Sequence, residues 1–286
     1  MSQKQHYIPV SLLNGFLDPN SINVKKLEPF LWYYEKGKNV KNQSPKNILW
    51  ERNFYTQYEN DNSENNDLEL FFSKKIENPL KKFKINFEFD LLNINLKNLK
   101  ENGIENERIF LSAFTFWHWK RTKHFISELK NSFQIELLKE NPEPLVNEFM
   151  NSVYLQNELM AMTINLGKNY NDRSFLDIIS KKDIYFTIIT NKKTNFISSD
   201  NPLIRANETG PNGIIYPNTE LSIPLTSKIL LTFIGNSSKM FIRTISDRTA
   251  IRKVNQNIAK NASEIIYGTN KFQLERLKSL LPSDSV

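Results

Sequence analysis

Apolar side chains recur at helical intervals through residues 105–139, where Ile109, Phe110, Ala113, Phe114, Trp117, Phe125 and Leu129 form one broad stripe. Such a stripe predicts a long amphipathic helix with one face on a core. Lys123 follows the Arg121-Thr122 pair, so the helix is expected to run on smoothly there. Asn141-Pro142-Glu143-Pro144 stops it, because a proline restricts the residue before it. A further helix is expected over about 145–161. Upstream, Leu68, Phe71, Phe72, Ile76 and Leu80 predict a helix over 67–82 carrying Glu69 and Glu77, with Pro79 kinking it or standing near its end. Downstream, Ile251, Val254, Ile258, Ala262 and Ile265 predict an amphipathic helix over 249–267, and a short helix over 271–281 follows.

Between these lie runs rich in β-branched and aromatic residues. Residues 31–35 read as a strand, turned by Lys36-Gly37-Lys38-Asn39 into 40–43. Ser44-Pro45-Lys46-Asn47 reads as a helical turn opened by Ser44, with proline at its first position. Residues 183–190 and 195–199 read as a hairpin around Asn191-Lys192-Lys193-Thr194, and 220–225, 229–234 and 240–244 as three more strands. The polar stretch 58–67 is expected to be a mobile surface loop, and 93–106 a polar connection. Strands cluster instead of alternating with helices, which indicates an α+β fold. The expected architecture is a helical middle region packed on a mainly antiparallel sheet, with C-terminal helices. One domain over 1–286 is expected, with sub-regions 1–66, 67–170 and 171–286.

Composition narrows the chemistry. The 286 residues include no cysteine, which removes disulfides, thiolate metal sites and a cysteine nucleophile. No apolar run is long enough for a bilayer and no basic-then-apolar leader opens the chain, so a cytoplasmic protein without a membrane partner is expected. Phosphate-loop, dinucleotide and His-Glu-x-x-His motifs are all missing, and with 3 histidines neither a metal nor a cofactor is expected. A homo-oligomer is compatible with the chain, but nothing in it asks for one. The formal charge of +7 fits either lysines on solvated faces or a basic surface that attracts RNA or DNA.

Three constellations remain. His6, beside Tyr7, is a candidate general acid or base, or else a histidine that pins the terminus by hydrogen bonding. Trp117, Arg121 and His124 share one face of the expected long helix. There Arg121 would hold a phosphate, or be satisfied by a structural carboxylate such as Glu77. Ser198-Ser199-Asp200-Asn201-Pro202 closes a strand, where Asp200 would orient a catalytic group or make an Asx-type turn.

The order of motifs is informative. His6-Tyr7-Ile8-Pro9, Leu13-Asn14-Gly15-Phe16, Leu31-Trp32-Tyr33-Tyr34, Ser44-Pro45-Lys46-Asn47, Glu51-Arg52-Asn53-Phe54-Tyr55, Arg121-Thr122, the run from Phe196 to Pro202, and Ile223-Pro224-Leu225-Thr226 follow one another. That order resembles a bacterial family catalogued as domain of unknown function 4238, over residues 6 to about 234. One departure is Lys123, where members of that family often carry proline. The resemblance implies an architecture and a shared polar site, not an activity. The leading expectation is a metal-independent enzyme on a phosphate-bearing substrate, a nuclease acting as a toxin or phage-defence effector. In it His6, Arg121 and Asp200 are catalytic, while Tyr7, Arg52, Tyr55 and Asn201 bind substrate. The alternative is a non-catalytic binding or sensor protein in which these residues form a structural polar network.

Overall fold

A computed structural model describes residues 4–59, 61, 63–83, 107–152, 155, 157, 173–207, 210 and 213–283. The fold is α+β, with helices and mainly antiparallel sheets. Strands β1 (Lys4–His6), β2 (Leu31–Glu35), β3 (Lys41–Gln43) and β4 (Trp50–Arg52) belong to the first part of the chain, together with a helical turn, α1 (Val10–Leu13). The β2–β3 hairpin forms as its sequence predicts, with Gly37 in the left-handed region at φ 75°. Ser44 opens the turn Pro45–Asn47, but its hydroxyl donates to Glu28 at 2.9 Å and does not cap the turn. The polar stretch expected as a mobile loop instead holds a short antiparallel pair, β5 (Gln57–Tyr58) and β6 (Glu64–Asn65).

The helical middle departs from a single rod. Helix α2 (Asp67–Phe72) widens into a π turn over Ser73–Glu77. Pro79 supplies the reason: its ring crowds the carbonyl of the residue four before it, and the wider turn relieves that clash. The connection expected at 93–106 lies outside the described residues. The long helix expected over 105–139 is two helices, α3 (Glu107–Lys120) and α4 (Lys123–Leu137), parted at Arg121-Thr122. Proline is not needed for the break. Thr122 is extended (φ −74°, ψ 148°), its Oγ1 accepts the Phe125 amide at 3.2 Å, and it donates to the Trp119 carbonyl at 2.9 Å. Helix α5 (Glu143–Met150) then starts at its own prolines and packs Val146 and Met150 against Phe133 and Leu137 of α4. Most of the span expected to carry it to 161 lies outside the described residues.

After α6 (Arg173–Lys181) come β7 (Asp183–Ile189), β8 (Ser198–Ser199), β9 (Ile204–Ala206), β10 (Glu220–Pro224), β11 (Ile229–Ile234) and β12 (Met240–Ile245). They do not form one meander. A five-stranded sheet runs β12-β7-β11-β10-β9, antiparallel except where β12 lies parallel to β7. Strand β8 does not pair with β7 as a hairpin. It joins a four-stranded sheet, β3-β2-β13-β8, in which β13 is Ile265–Gly268. The physical cause is Asn255 on α7 (Arg248–Asn261), which accepts the Ile197 amide at 3.0 Å and donates to the Asn195 carbonyl at 2.8 Å. These bonds draw the segment away from β7.

The helix expected over 249–267 therefore ends at Asn261, and its last apolar residue, Ile265, is in β13. Helix α8 (Lys271–Leu277) closes the fold. The main core gathers Leu12, Phe16, Leu31 and Tyr55 with Phe72, Phe114 and Phe116, and with Phe186, Leu231, Phe233 and Tyr267, while Ile258, Leu274 and Leu277 of α7 and α8 pack in a second cluster with Tyr34 and Ile266. Two outcomes follow from the α3–α4 break. Thr122→Ala should lose about 1 kcal/mol of stability in urea denaturation, the worth of an N-cap. Lys123→Pro should fold with stability within about 1 kcal/mol of the parent, because the first helical position tolerates proline.

Candidate functional site

The family motifs converge on strand β1 and the two residues after it. Pairing of β1 with β4 sets Gln5 opposite Glu51 and His6 opposite Trp50. Gln5 is fully buried: its carbonyl oxygen accepts the Tyr55 amide at 2.5 Å, and its amide donates to Thr56 Oγ1 at 3.1 Å. This glutamine was not among the expected site residues. The buried alternation of so short a strand is too brief to register as a pattern. The Tyr7 amide donates to the carbonyl of Leu49, which sits in the left-handed region at φ 55° despite its side chain.

On one side of β1 lies Arg121, whose side chain is wholly buried. Its Nη2 donates to Glu77 Oε1 at 2.9 Å and to the His6 carbonyl oxygen, and its Nε donates to the Tyr55 hydroxyl at 3.2 Å. The Tyr55 hydroxyl in turn donates to the Arg121 carbonyl at 2.9 Å, satisfying a group freed where α3 ends. The guanidinium also stands over the Phe72 ring at 4.6 Å. Burial opposes its charge, but Tyr55, Glu77 and Glu69 together raise its pKa above the usual value, so it is permanently cationic. Burial likewise pushes Tyr55 and Glu69 up.

The His6 imidazole lies within reach of the Lys46 and Pro45 carbonyls. Burial lowers its pKa from 6.5, with Glu77 and those carbonyls opposing. Its Nε2 is buried without a hydrogen-bond partner among the described residues. His118, one turn before the α3 break, is wholly buried, stacks on Phe114 at 5.2 Å, and has neither ring nitrogen bonded among the described residues. Burial, then the nearby Arg121 charge, depresses it to about 3.

On the other side lie Tyr7 and Asp200. Asp200 Oδ1 accepts the Ser263 amide at 2.9 Å, and Oδ2 accepts the amides of Glu264 at 2.8 Å and Ile265 at 3.2 Å. Burial raises its pKa, and these three amides offset part of the rise. Burial and then the Asp200 charge also hold the Tyr7 phenol protonated. Nearby, Lys123 pairs with Glu51 and stands 5.0 Å from the Tyr7 ring centre. His124 meets the Ser263 hydroxyl at 3.1 Å and Glu128 at 3.2 Å. Asn201 ties its neighbourhood to α7 through mutual amide–carbonyl bonds with Asn261 at 3.0 and 2.9 Å.

The expected residues thus fall into two linked groups and one outlier. His6, Tyr55 and Arg121 are together, with Glu77 as the carboxylate. Tyr7, Asp200 and Asn201 are together, and no hydrogen bond joins Asp200 to His6 among the described residues. Arg52 is exposed on β4, opposite Lys4, with no side-chain hydrogen bond or ion pair among the described residues. The α3–α4 break also takes His124 off the face of Trp117 and Arg121. Among the described residues no cluster of His, Asp and Glu has the makings of a metal site, and no helix is long and apolar enough to cross a membrane.

A fold in which ordered polar motifs meet around one short strand defines a family by its architecture. The chain belongs to the family described as protein of unknown function (DUF4238), which matches residues 4–272. No curated protein and no solved structure matches it.

The network makes two measurable demands. Arg121→Ala removes the partner of Glu77, the His6 carbonyl and Tyr55 at once, and should lower stability by about 3–5 kcal/mol in urea denaturation. His118 gives a pH dependence with a definite sign. The unfolded imidazole binds a proton near its ordinary pKa of 6.5, whereas the folded one does so only near about 3. Its stabilising effect is whole above 6.5 and is lost as pH falls towards about 3, by up to about 1.4 kcal/mol per pH unit. His118→Phe should flatten that limb of the curve, with the His6 contribution left.

Proposed function

We propose that this chain is a non-catalytic nucleic-acid-binding protein of the cytoplasm, in which the His/Arg/Asp motifs form a structural polar network. The observation that carries the reading is the state of Arg121. Its side chain has no exposed surface, its Nε and Nη2 donate to Tyr55, Glu77 and the His6 carbonyl, and its Nη1 is sealed in the interior without a hydrogen-bond partner among the described residues. A phosphate clamp must reach its substrate, and this guanidinium faces the interior. Asp200 is similarly engaged, with both oxygens on backbone amides. The formal charge of +7 supports a polyanionic partner.

A nuclease reading rests on His6 alone. Its unpartnered Nε2 and lowered pKa describe a neutral imidazole able to accept a proton. Such an enzyme, acting as a toxin or phage-defence effector, would have to find its phosphate contacts elsewhere. The two readings part in one experiment. Total RNA and DNA are incubated with the purified protein and with His6→Ala, with and without divalent cations. Intact nucleic acid in every tube, with a lower melting temperature for His6→Ala, is the expected result. Cleavage by the parent that His6→Ala abolishes would overturn the non-catalytic reading.

A further inference from the structure

A cleft of about 630 Å³ opens between α7, α8 and the β7–β8 connection, away from the motif network. Its charged lining is of one sign: Lys193, Arg248, Arg252 and Arg276 are present and no carboxylate is. The chain as a whole carries 38 basic and 31 acidic residues, so the lining is more one-sided than the overall charge balance. All four cations are exposed, and none makes an ion pair or side-chain hydrogen bond among the described residues. The nearest acids in sequence are occupied. Asp247 caps α7 through the Thr249 amide at 2.8 Å, and Glu275 pairs with Lys278 at 2.7 Å.

The placement of these groups follows from helix geometry. Arg248 and Arg252 are four apart on α7, and Phe272 and Arg276 are four apart on α8, so each helix presents a two-residue rail. Phe272 is 75% exposed, a large apolar ring with no packing role to explain it. The floor between the rails is fixed. Asn255 and Gln273 each donate to the Asn195 carbonyl at 2.8 Å, and the Lys193 amide donates to Asn191 Oδ1 at 2.9 Å. Cations on both rails with an open aromatic ring on one of them match a backbone of phosphates and a base face. A duplex keeps its base faces stacked and unavailable to Phe272, which selects the single strand.

We infer that the α7–α8 cleft binds single-stranded nucleic acid, with Lys193, Arg248, Arg252 and Arg276 on the phosphates and Phe272 stacked on a base. This rests on the reading of the chain as a nucleic-acid-binding protein and names its site. The test is fluorescence anisotropy with labelled oligo-dT and oligo-U of about 20 nucleotides, titrated across a salt series. The parent should bind at least one of them, more weakly as salt rises. Arg252→Glu/Arg276→Glu should bind about tenfold or more weaker, and the log–log salt slope should fall in magnitude by about 1.4, the share of two phosphate contacts on a single strand. Phe272→Ala should weaken binding about fivefold or more without changing that slope.

Lys74→Glu/Lys75→Glu, which makes the same change of net charge at exposed positions on the π turn, should bind as the parent does. All these positions are exposed, so unchanged melting temperatures are expected. An equal loss in the Lys74/Lys75 control overturns the site, because binding would then follow net charge alone. Competition by uridine monophosphate as strong as by the oligomer overturns the strand and leaves a small-phosphate pocket. Equal competition by duplex overturns the stacking. Absence of binding to either oligomer overturns the inference, while intact RNA and DNA in the incubation above would leave the non-catalytic reading standing.

Discussion

Burying the guanidinium of Arg121 constrains everything packed around it. A charge removed from water is tolerated only when paired and hydrogen-bonded, and here the partners come from distant parts of the chain. Glu77 arrives from the π turn of the α2 region, Tyr55 from just beyond β4, and the His6 carbonyl from β1. Each partner has to be in place for the others to count. The network therefore couples the entry of the chain, the aromatic turn after β4 and the end of α3 into one unit. It also explains why α3 stops where it does: the Arg121 carbonyl is taken by Tyr55 and leaves no need for a continuing turn.

Asp200 plays the corresponding part for the second sheet. A carboxylate that accepts three consecutive amides fixes a local backbone turn, here residues 263–265 between α7 and β13. That turn ends a helix whose apolar periodicity would otherwise carry it onward, and it starts one of the two inner strands of the β3-β2-β13-β8 sheet. The opening stretch, His6 to Phe16, sits between these two devices. Its residues His6 and Tyr7 face Arg121 and Asp200 respectively, and Phe16 meets Tyr267 of β13 edge-on at 5.2 Å.

What could be read from the sequence divides along the same line. The β2–β3 hairpin, four strands of the five-stranded sheet (β7, β10, β11 and β12) and the placement of α8 follow from periodicity and turn chemistry, which are local, whereas the three-residue β9 is too short to show a pattern. Three misread boundaries involve long-range hydrogen bonds: the α3–α4 break, where Tyr55 joins the local Thr122 cap, the end of α7 by Asp200, and the failure of β7 to pair with β8 by Asn255. Local propensity at Ile265 is consistent with helix or strand, and the carboxylate 65 positions earlier decides it. Polar motifs at wide separation have little to do in a chain unless they meet, and the expected residues meet in two groups, His6 with Tyr55 and Arg121 and Tyr7 with Asp200 and Asn201, while Arg52 stands apart. Their depth was not legible, since sequence does not distinguish an arginine in a cleft from one beneath a core.

That distinction bears on how fold and recognition are divided in this chain. None of the groove cations Lys193, Arg248, Arg252 and Arg276 belongs to the motifs by which the family is recognised, and Arg276 lies beyond the matched span of 4–272. Arg121, Tyr55 and Asp200 are buried and hydrogen-bonded to groups far away in the chain, so changing one costs stability. Exposed cations with no carboxylate partner carry no such penalty, because a solvated arginine contributes little to the folded state. On the proposed reading, a scaffold of this kind holds its architecture with one set of polar residues and leaves another to meet an anion. The chemistry of recognition is then best sought where the charges are unpaired, and the motif network is best regarded as the reason the two helices bearing them are held still.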